Sequence, residues 1–231
     1  MAKYFLIEKD GATTTITFNR PQKLNCLDDE VVLELESLVQ QVREDRDTRV
    51  LITTGSGRAF SAGADVSAAK KIEDPRERAK AAERSAARFP RLIGRLVDLI
   101  SHLDIMTIAA VNGFAIGGGW SIVLAFDFCI AVEGAEFWVP EVDMGVPYRG
   151  TPAQILAMRM GPWAAKEATI LCRHFKAEEL LAMRVVNRVV KPAELMPAAR
   201  ELATALAAKP QRAVAPSKRD INAIFYGERL Y

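Results

Sequence analysis

Two short runs of small residues, Arg58-Ala-Phe-Ser-Ala-Gly-Ala-Asp65 and Asn112-Gly-Phe-Ala-Ile-Gly-Gly-Gly119, constrain this chain more than any other feature. Each reads as a turn where a helix begins, so each offers backbone N–H groups that no helical carbonyl satisfies. Small residues also let another molecule approach the backbone closely. Two such donors aimed at one point stabilise a carbonyl oxygen as it gains negative charge, and one donor of this kind is worth roughly 2.7–4 kcal/mol of barrier. A single glycine run carries little information. The pair, about fifty residues apart, predicts a shared oxyanion site.

The sequence around these runs has α/β grammar. Residues 3 to 18 alternate as two strands joined at Asp10-Gly11, a tight-turn signal. From Asp28 to Asp45, Val31, Val32, Leu35, Leu38, Val39 and Val42 fall at helical spacing, and Arg49 to Thr53 reads as a buried strand. This ββα step recurs, with a long helical segment from Pro75 to His102, a strand over 107–111, a helix from Gly118 and a strand from Phe128 to Val132. Such alternation implies stacked sheets flanked by helices. From Thr151 the pattern becomes mostly helical, with segments over 151–160, 163–172, 177–184 and 192–208 and a short strand over 185–190. That region reads as a helical cap or a trimerisation layer. The segment from Ile72 to Arg95, rich in Ala, Arg, Lys and Glu, reads as a solvated helical face.

Half of the 231 residues are hydrophobic, enough for one substantial core. The 31 basic and 29 acidic residues are spread along the chain, which argues against a nucleic-acid partner. Cys26, Cys129 and Cys172 are too scattered for a disulfide framework or a zinc ribbon. The N-terminus runs into a strand pattern without the apolar core of a secretory signal, so a reducing, cytoplasmic setting is expected. Ile105 to Phe126 lacks charge over a length that would span a bilayer. Asn112 and the glycines interrupt it, however, and it reads as a buried strand, a turn and a short buried helix with no membrane contact.

Glu141 stands in the loop-like stretch Pro140-Glu-Val-Asp-Met-Gly145, just after the apolar Phe137-Trp-Val139. From the residues alone it is either a surface carboxylate or one whose pKa is raised toward neutrality by apolar neighbours, as an acid/base requires. Ser121 comes three residues after Gly118, one helical turn from the small-residue run. Gly119-Trp-Ser-Ile-Val123 is not a nucleophile elbow, and His102 and His174 lie in no triad context. A serine hydrolase therefore has little support, and so has a metal site. Trp120, Trp138 and Tyr148 are aromatic candidates for either an acyl pocket or the core.

Taken together, Thr15-Ile-Thr-Phe-Asn-Arg-Pro21, Phe60-Ser-Ala-Gly-Ala-Asp65, Ala109-Ala-Val-Asn-Gly113 and Pro140-Glu-Val-Asp-Met-Gly145 resemble the crotonase superfamily of enoyl-CoA hydratases and isomerases. The resemblance covers nearly the whole chain. It implies a crotonase-like spiral of repeated ββα units with a helical C-terminal region, in one domain divided into a core over 1–150 and a mostly helical region over 151–231. It also implies a homotrimer or a dimer of trimers. In such a protein the N–H groups of Ala64 and Gly118 would form the oxyanion hole and Glu141 would be the acid/base. Coenzyme A, as part of an acyl-CoA thioester substrate and without a separate cofactor, would lie along Lys23, Leu24, Ala62, Asp65 and Val66. The segment from Ile72 to Arg95 would border the acyl pocket.

Three departures from the family pattern stand out. Hydratases of the family usually carry a second glutamate where this chain has Ser121. Ser121 with Glu141 also resembles feruloyl-CoA hydratase-lyases, which act on an aromatic enoyl thioester, and loss of a glutamate is equally compatible with a weakly catalytic acyl-CoA-binding protein. Arg149 stands where relatives often have small residues, which suggests an altered pocket floor. The chain stops at Tyr231 where relatives commonly continue for a helix or two. That suggests a more open site, a site completed by a neighbouring subunit, or altered activity.

Overall fold

The computed structural model describes residues 2–67 and 73–226. The chain opens with β1 (Phe5–Asp10) and β2 (Thr13–Phe18), an antiparallel hairpin whose tight turn places Gly11 at φ +55°. Next comes α1 (Asp29–Glu44), capped by the Asp28 side chain, which accepts from the Val31 N–H at 3.0 Å. All six apolar residues at the expected helical spacing are buried, so the stripe read from sequence is the face that packs.

The following units each send one strand to each of two sheets. β3 (Val50–Gly55), β5 (Met106–Val111) and β7 (Phe128–Val132) join the large sheet, and β4 (Ala59–Ser61), β6 (Phe114–Ile116) and β8 (Glu136–Trp138) join the small one. Between them run α2 (Pro75–Ser101) and α3 (Gly118–Leu124). The large sheet has order β1-β2-β3-β5-β7-β10 and is parallel from β2 onward. Central strands covered on both faces are apolar along their length, and Val50, Leu51, Ile52, Ile108, Ala109, Ala110 and Val111 are fully buried. The small sheet has order β4-β6-β8-β9.

The C-terminal region begins with α4 (Thr151–Ile170), in which Gly161 (φ 80°, ψ 155°) and Pro162 break the helix into the two stretches expected from sequence. β9 (Phe175–Lys176), α5 (Ala177–Ala182), β10 (Arg188–Val190) and α6 (Leu195–Ala207) follow, the last preceded by a 3-10 turn over Pro192–Glu194. The strand expected over 185–190 is thus confined to its last three residues. A helix absent from the sequence reading, α7 (Gln211–Tyr226), docks through Lys218. The Lys218 ammonium is buried, pairs with Asp127 at 2.7 Å and donates to the Ile105 carbonyl at 2.8 Å.

The uncharged stretch from Ile105 to Phe126 resolves into β5, β6 and α3 inside the core. Among the described residues no helix is long and apolar enough to cross a membrane. In α2, Leu92, Ile93, Leu96, Val97 and Ile100 are buried, so the solvated face expected up to Arg95 gives way earlier to a packed one.

Candidate active site

Two asparagines, Asn112 half-buried and Asn25 buried, fix the first small-residue run, and Asn112 ties it to the second. The Asn112 amide accepts from the Gly55 N–H at 3.1 Å and donates to the Gly57 and Ala59 carbonyls at 2.9 and 3.2 Å. Asn25 donates to the Ser56 and Ala59 carbonyls at 3.0 and 2.7 Å and accepts from the Arg20 N–H at 2.8 Å. Loop carbonyls that a sheet ladder would otherwise satisfy are satisfied by side chains, which fixes the turns in register. The runs also touch directly. A Cβ on Gly63 would lie 2.6 Å from the Ile116 carbonyl oxygen and 3.5 Å from the Gly118 nitrogen, and one on Gly119 would lie 2.5 Å from the Ser61 carbonyl oxygen. Only glycine allows that approach.

The Ala64 and Gly118 donors arise from this packing. Leu27 and Ala64 form a parallel bridge in which the Leu27 N–H donates to Gly63 and the Asp65 N–H donates to Leu27, at 2.7 and 2.8 Å. The Ala64 N–H therefore points away from the bridge, and Ala64 itself is exposed. Gly118 opens α3, so its N–H belongs to the unsatisfied first turn. Gly117 precedes it at φ 50°, ψ −116°, and its own N–H donates to the Trp138 carbonyl at 2.9 Å, tying α3 to β8. The continuation of the helix expected to start at the first small-residue run lies outside the described residues, which stop at residue 67 and resume at 73.

β8 also delivers Glu141. After Pro140 the chain turns through residues 141–145, with the Val146 N–H donating to the Glu141 carbonyl at 2.8 Å. The turn lays the carboxyl against Gly117, where a Cβ would meet Glu141 Oε1 at 2.6 Å. Glu141 Oε2 is buried and has no hydrogen-bond partner among the described residues. Burial raises the Glu141 pKa to about 7, only partly opposed by its own backbone N–H. A carboxyl poised there can take or give a proton at neutral pH.

Ser121 is buried on the first turn of α3. Its hydroxyl lies 3.1 Å from the Gly117 carbonyl oxygen and 2.9 Å from the Tyr148 hydroxyl. Burial, together with the charge of Glu141, pushes Tyr148 well above the usual phenol range, the Ser121 hydrogen bond opposing. Glu141 and Ser121 thus meet at Gly117, and Tyr148 joins them through Ser121.

The residues expected along coenzyme A form a neighbouring cluster. Leu24 has φ 50°, and its carbonyl accepts from the Ala62 N–H at 2.9 Å. Val66 is 48% exposed. Lys23 pairs with Asp65 at 3.0 Å, with Arg20 3.9 Å from the same carboxylate. The Asp65 side chain is only 8% exposed. Burial pushes its pKa up, but hydrogen bonds from the Ser67 hydroxyl and N–H, from Lys23 and from Cys26 outweigh that and hold it well below the usual carboxylate range. The Lys23 charge is therefore already engaged within the protein.

Several sequence expectations need correction or extension. Trp120 belongs to the core, packed edge-on to Phe137 and near Phe175, because α3 is buried on every side. Trp138 stacks on His174 at 4.2 Å, while the His102 ring contacts the Asp98 carbonyl at the end of α2. Arg149, expected to alter the pocket floor, is exposed, and its neighbour Tyr148 is the residue that reaches Ser121. Sequence reasoning missed the partnership of Tyr148 with Ser121, and no local pattern announces it. The structural use of Asn25 and Asn112 was also missed, although for Asn112 a polar side chain inside an uncharged apolar stretch is a signal for it. All three cysteines are buried free thiols.

Comparison with known proteins gives a consistent picture. The family model for enoyl-CoA hydratase/isomerase matches residues 8–229. A short-chain-enoyl-CoA hydratase of Clostridium acetobutylicum is 34% identical over 94% of this chain and 80% of that protein. A carnitinyl-CoA dehydratase of Escherichia coli is 36% identical over the same shares. The crystal structure of an enoyl-CoA hydratase subunit I from Geobacillus kaustophilus superposes with a TM-score of 0.86 at 33% identity, covering 99% of this chain and 84% of that one.

Proposed function

The chain belongs to the enoyl-CoA hydratase/isomerase family, and we propose that it hydrates or isomerises an enoyl-CoA with Glu141 as its single acid/base and the Ala64 and Gly118 N–H groups as its oxyanion hole. The observation that carries this reading is the buried Glu141 carboxyl, its Oε2 without a hydrogen-bond partner among the described residues, raised to about 7 and lying against the glycine that precedes one donor. In hydration, water oxygen bonds to C3 of the enoyl thioester while its proton passes to Glu141. The electron pair of the double bond moves onto the thioester oxygen, facing the two N–H groups. Glu141 then returns the proton to C2. Moving a double bond from position 3 to position 2 uses the same parts, since Glu141 takes the proton from C2 and returns it at C4.

Coenzyme A, part of the substrate, lies in this reading along Lys23, Leu24, Ala62, Asp65 and Val66, and the scheme calls on no further cofactor. The protein is proposed to work in the cytoplasm as one domain assembled into a homotrimer or a dimer of trimers. The test follows the loss of the conjugated enoyl-thioester absorbance when crotonyl-CoA is added. Wild type is expected to consume it and Glu141→Gln to be nearly inert. Full turnover by Glu141→Gln would remove Glu141 from the mechanism. No turnover by wild type that still binds CoA thioesters would move the assignment to isomerisation or to hydratase-lyase chemistry.

A further inference from the structure

Where hydratases of the family usually carry a second carboxylate, this chain has a chain of hydroxyls whose direction the backbone sets. The Gly117 carbonyl can only accept, and it lies 3.1 Å from Ser121 Oγ. A serine hydroxyl has one proton. With that proton given to Gly117, Ser121 Oγ must accept from the Tyr148 hydroxyl at 2.9 Å. Tyr148 Oη is then left with free lone pairs, no proton to give, and no other hydrogen-bond partner among the described residues. Through Ser121 it is tied to the glycine against which Glu141 lies, and it is close enough to Glu141 for that charge to affect it.

We propose that Tyr148 Oη is the acceptor that holds the water added at C3, or the 3-hydroxyl this water becomes, with Ser121 as its positioning residue. The proposal rests on the reading of Glu141 given above. During hydration water has two protons: one passes to Glu141 and returns at C2, and the other stays on oxygen, directed at Tyr148 Oη. Tyr148 exchanges no proton, so the balance of the reaction is unchanged. The burial that keeps the phenol protonated suits this passive role. A double-bond shift adds no water and has no use for the acceptor, so Tyr148 biases the site toward hydration.

The experiment compares two reactions in each variant: hydration of crotonyl-CoA, and exchange of the C2 hydrogens of butyryl-CoA with deuterated water. Both need Glu141 and the oxyanion donors, but only the first adds water. Tyr148→Phe is expected to lower the ratio of hydration to exchange by roughly tenfold to a hundredfold, as loss of one or two well-placed hydrogen bonds would. Ser121→Ala, which frees the phenol to turn, is expected to lower the ratio less. An unchanged ratio in both variants overturns the proposal, as does a wild type that exchanges without hydrating. If Tyr148→Phe fails to fold, as judged by circular dichroism, the Ser121→Ala ratio decides alone. Retention of both reactions by Glu141→Gln instead overturns the Glu141 reading, whatever Tyr148→Phe does.

Discussion

Asp65 and Glu141 occupy comparable places in two of the repeats, a few residues beyond the small-sheet strands β4 and β8, yet the fold gives them opposite acid strengths. Both carboxyls are largely removed from water. Asp65 receives hydrogen bonds from Ser67 and Lys23 and has Arg20 nearby, so its charge is stabilised. Glu141 Oε2 receives nothing from the described residues, so burial pushes its pKa up. Partners therefore decide whether a buried carboxylate serves structure or chemistry. The loop proposed to hold coenzyme A has its charges satisfied in advance, while the loop proposed to carry the reaction leaves one oxygen without a partner among the described residues.

The largest test of this contrast is Glu141→Gln, expected to lower the turnover number by about 10²–10⁴, the usual worth of a general acid/base. Asp65→Asn should leave most of the turnover in place. A comparable rate loss in both variants would break the comparison. Gly117→Ala should come next, with at least about a tenfold rate loss. Its Cβ would meet Glu141 Oε1 at 2.6 Å, and alanine tolerates φ 50° poorly.

In stability the order reverses. Asp65→Asn is expected to cost about 1–3 kcal/mol in urea unfolding at pH 7, because Lys23 and Arg20 lose a largely buried partner. The pH dependence sharpens the point. The Asp65 pKa is lowered in the folded state, so its contribution is present above the ordinary value of 3.8 and is lost as pH falls through the depressed folded one. The Glu141 pKa is raised, so its contribution is present below 4.5 and is lost as pH rises through about 7. Glu141→Gln should accordingly be more stable than wild type at pH 8 by up to about 3 kcal/mol, and nearly equal to it at pH 4.5. In kinetics, kcat/KM for hydration should rise with pH and level off above about 7, and a flat profile from pH 5 to 8 would contradict the role of Glu141 as base. The smallest effect belongs to Lys23→Ala, expected to raise KM for a CoA thioester a few-fold with kcat nearly unchanged. That increase should shrink at high salt, as for a half-exposed charge.

Much of the fold was legible because its signals are local. The six apolar positions of α1 repeat at helical spacing within one helix, Asp28 caps it, and the Asp10-Gly11 turn closes β1 on β2. The strands β4, β6, β8 and β9 were not legible. At two or three residues each they are too short to show a period, and they exist because neighbours distant in sequence supply their hydrogen bonds. Helix α7 was missed for a related reason, since the Lys218–Asp127 pair that seats it joins residues 91 positions apart.

The site divides along the same line. The sequence by itself determined the family, the pair of small-residue runs and the glutamate that the resemblance marks, since each rests on residues near one another in the chain. The tertiary structure decided that Gly117 brings Glu141 and Ser121 together, that Tyr148 rather than Arg149 reaches inward, and that Trp120 is core. It also decided that Asp65 is partnered while Glu141 Oε2 is not. Acidity and hydrogen-bond direction depend on what surrounds an atom within a few ångströms, and here those surroundings come from segments far apart in the chain.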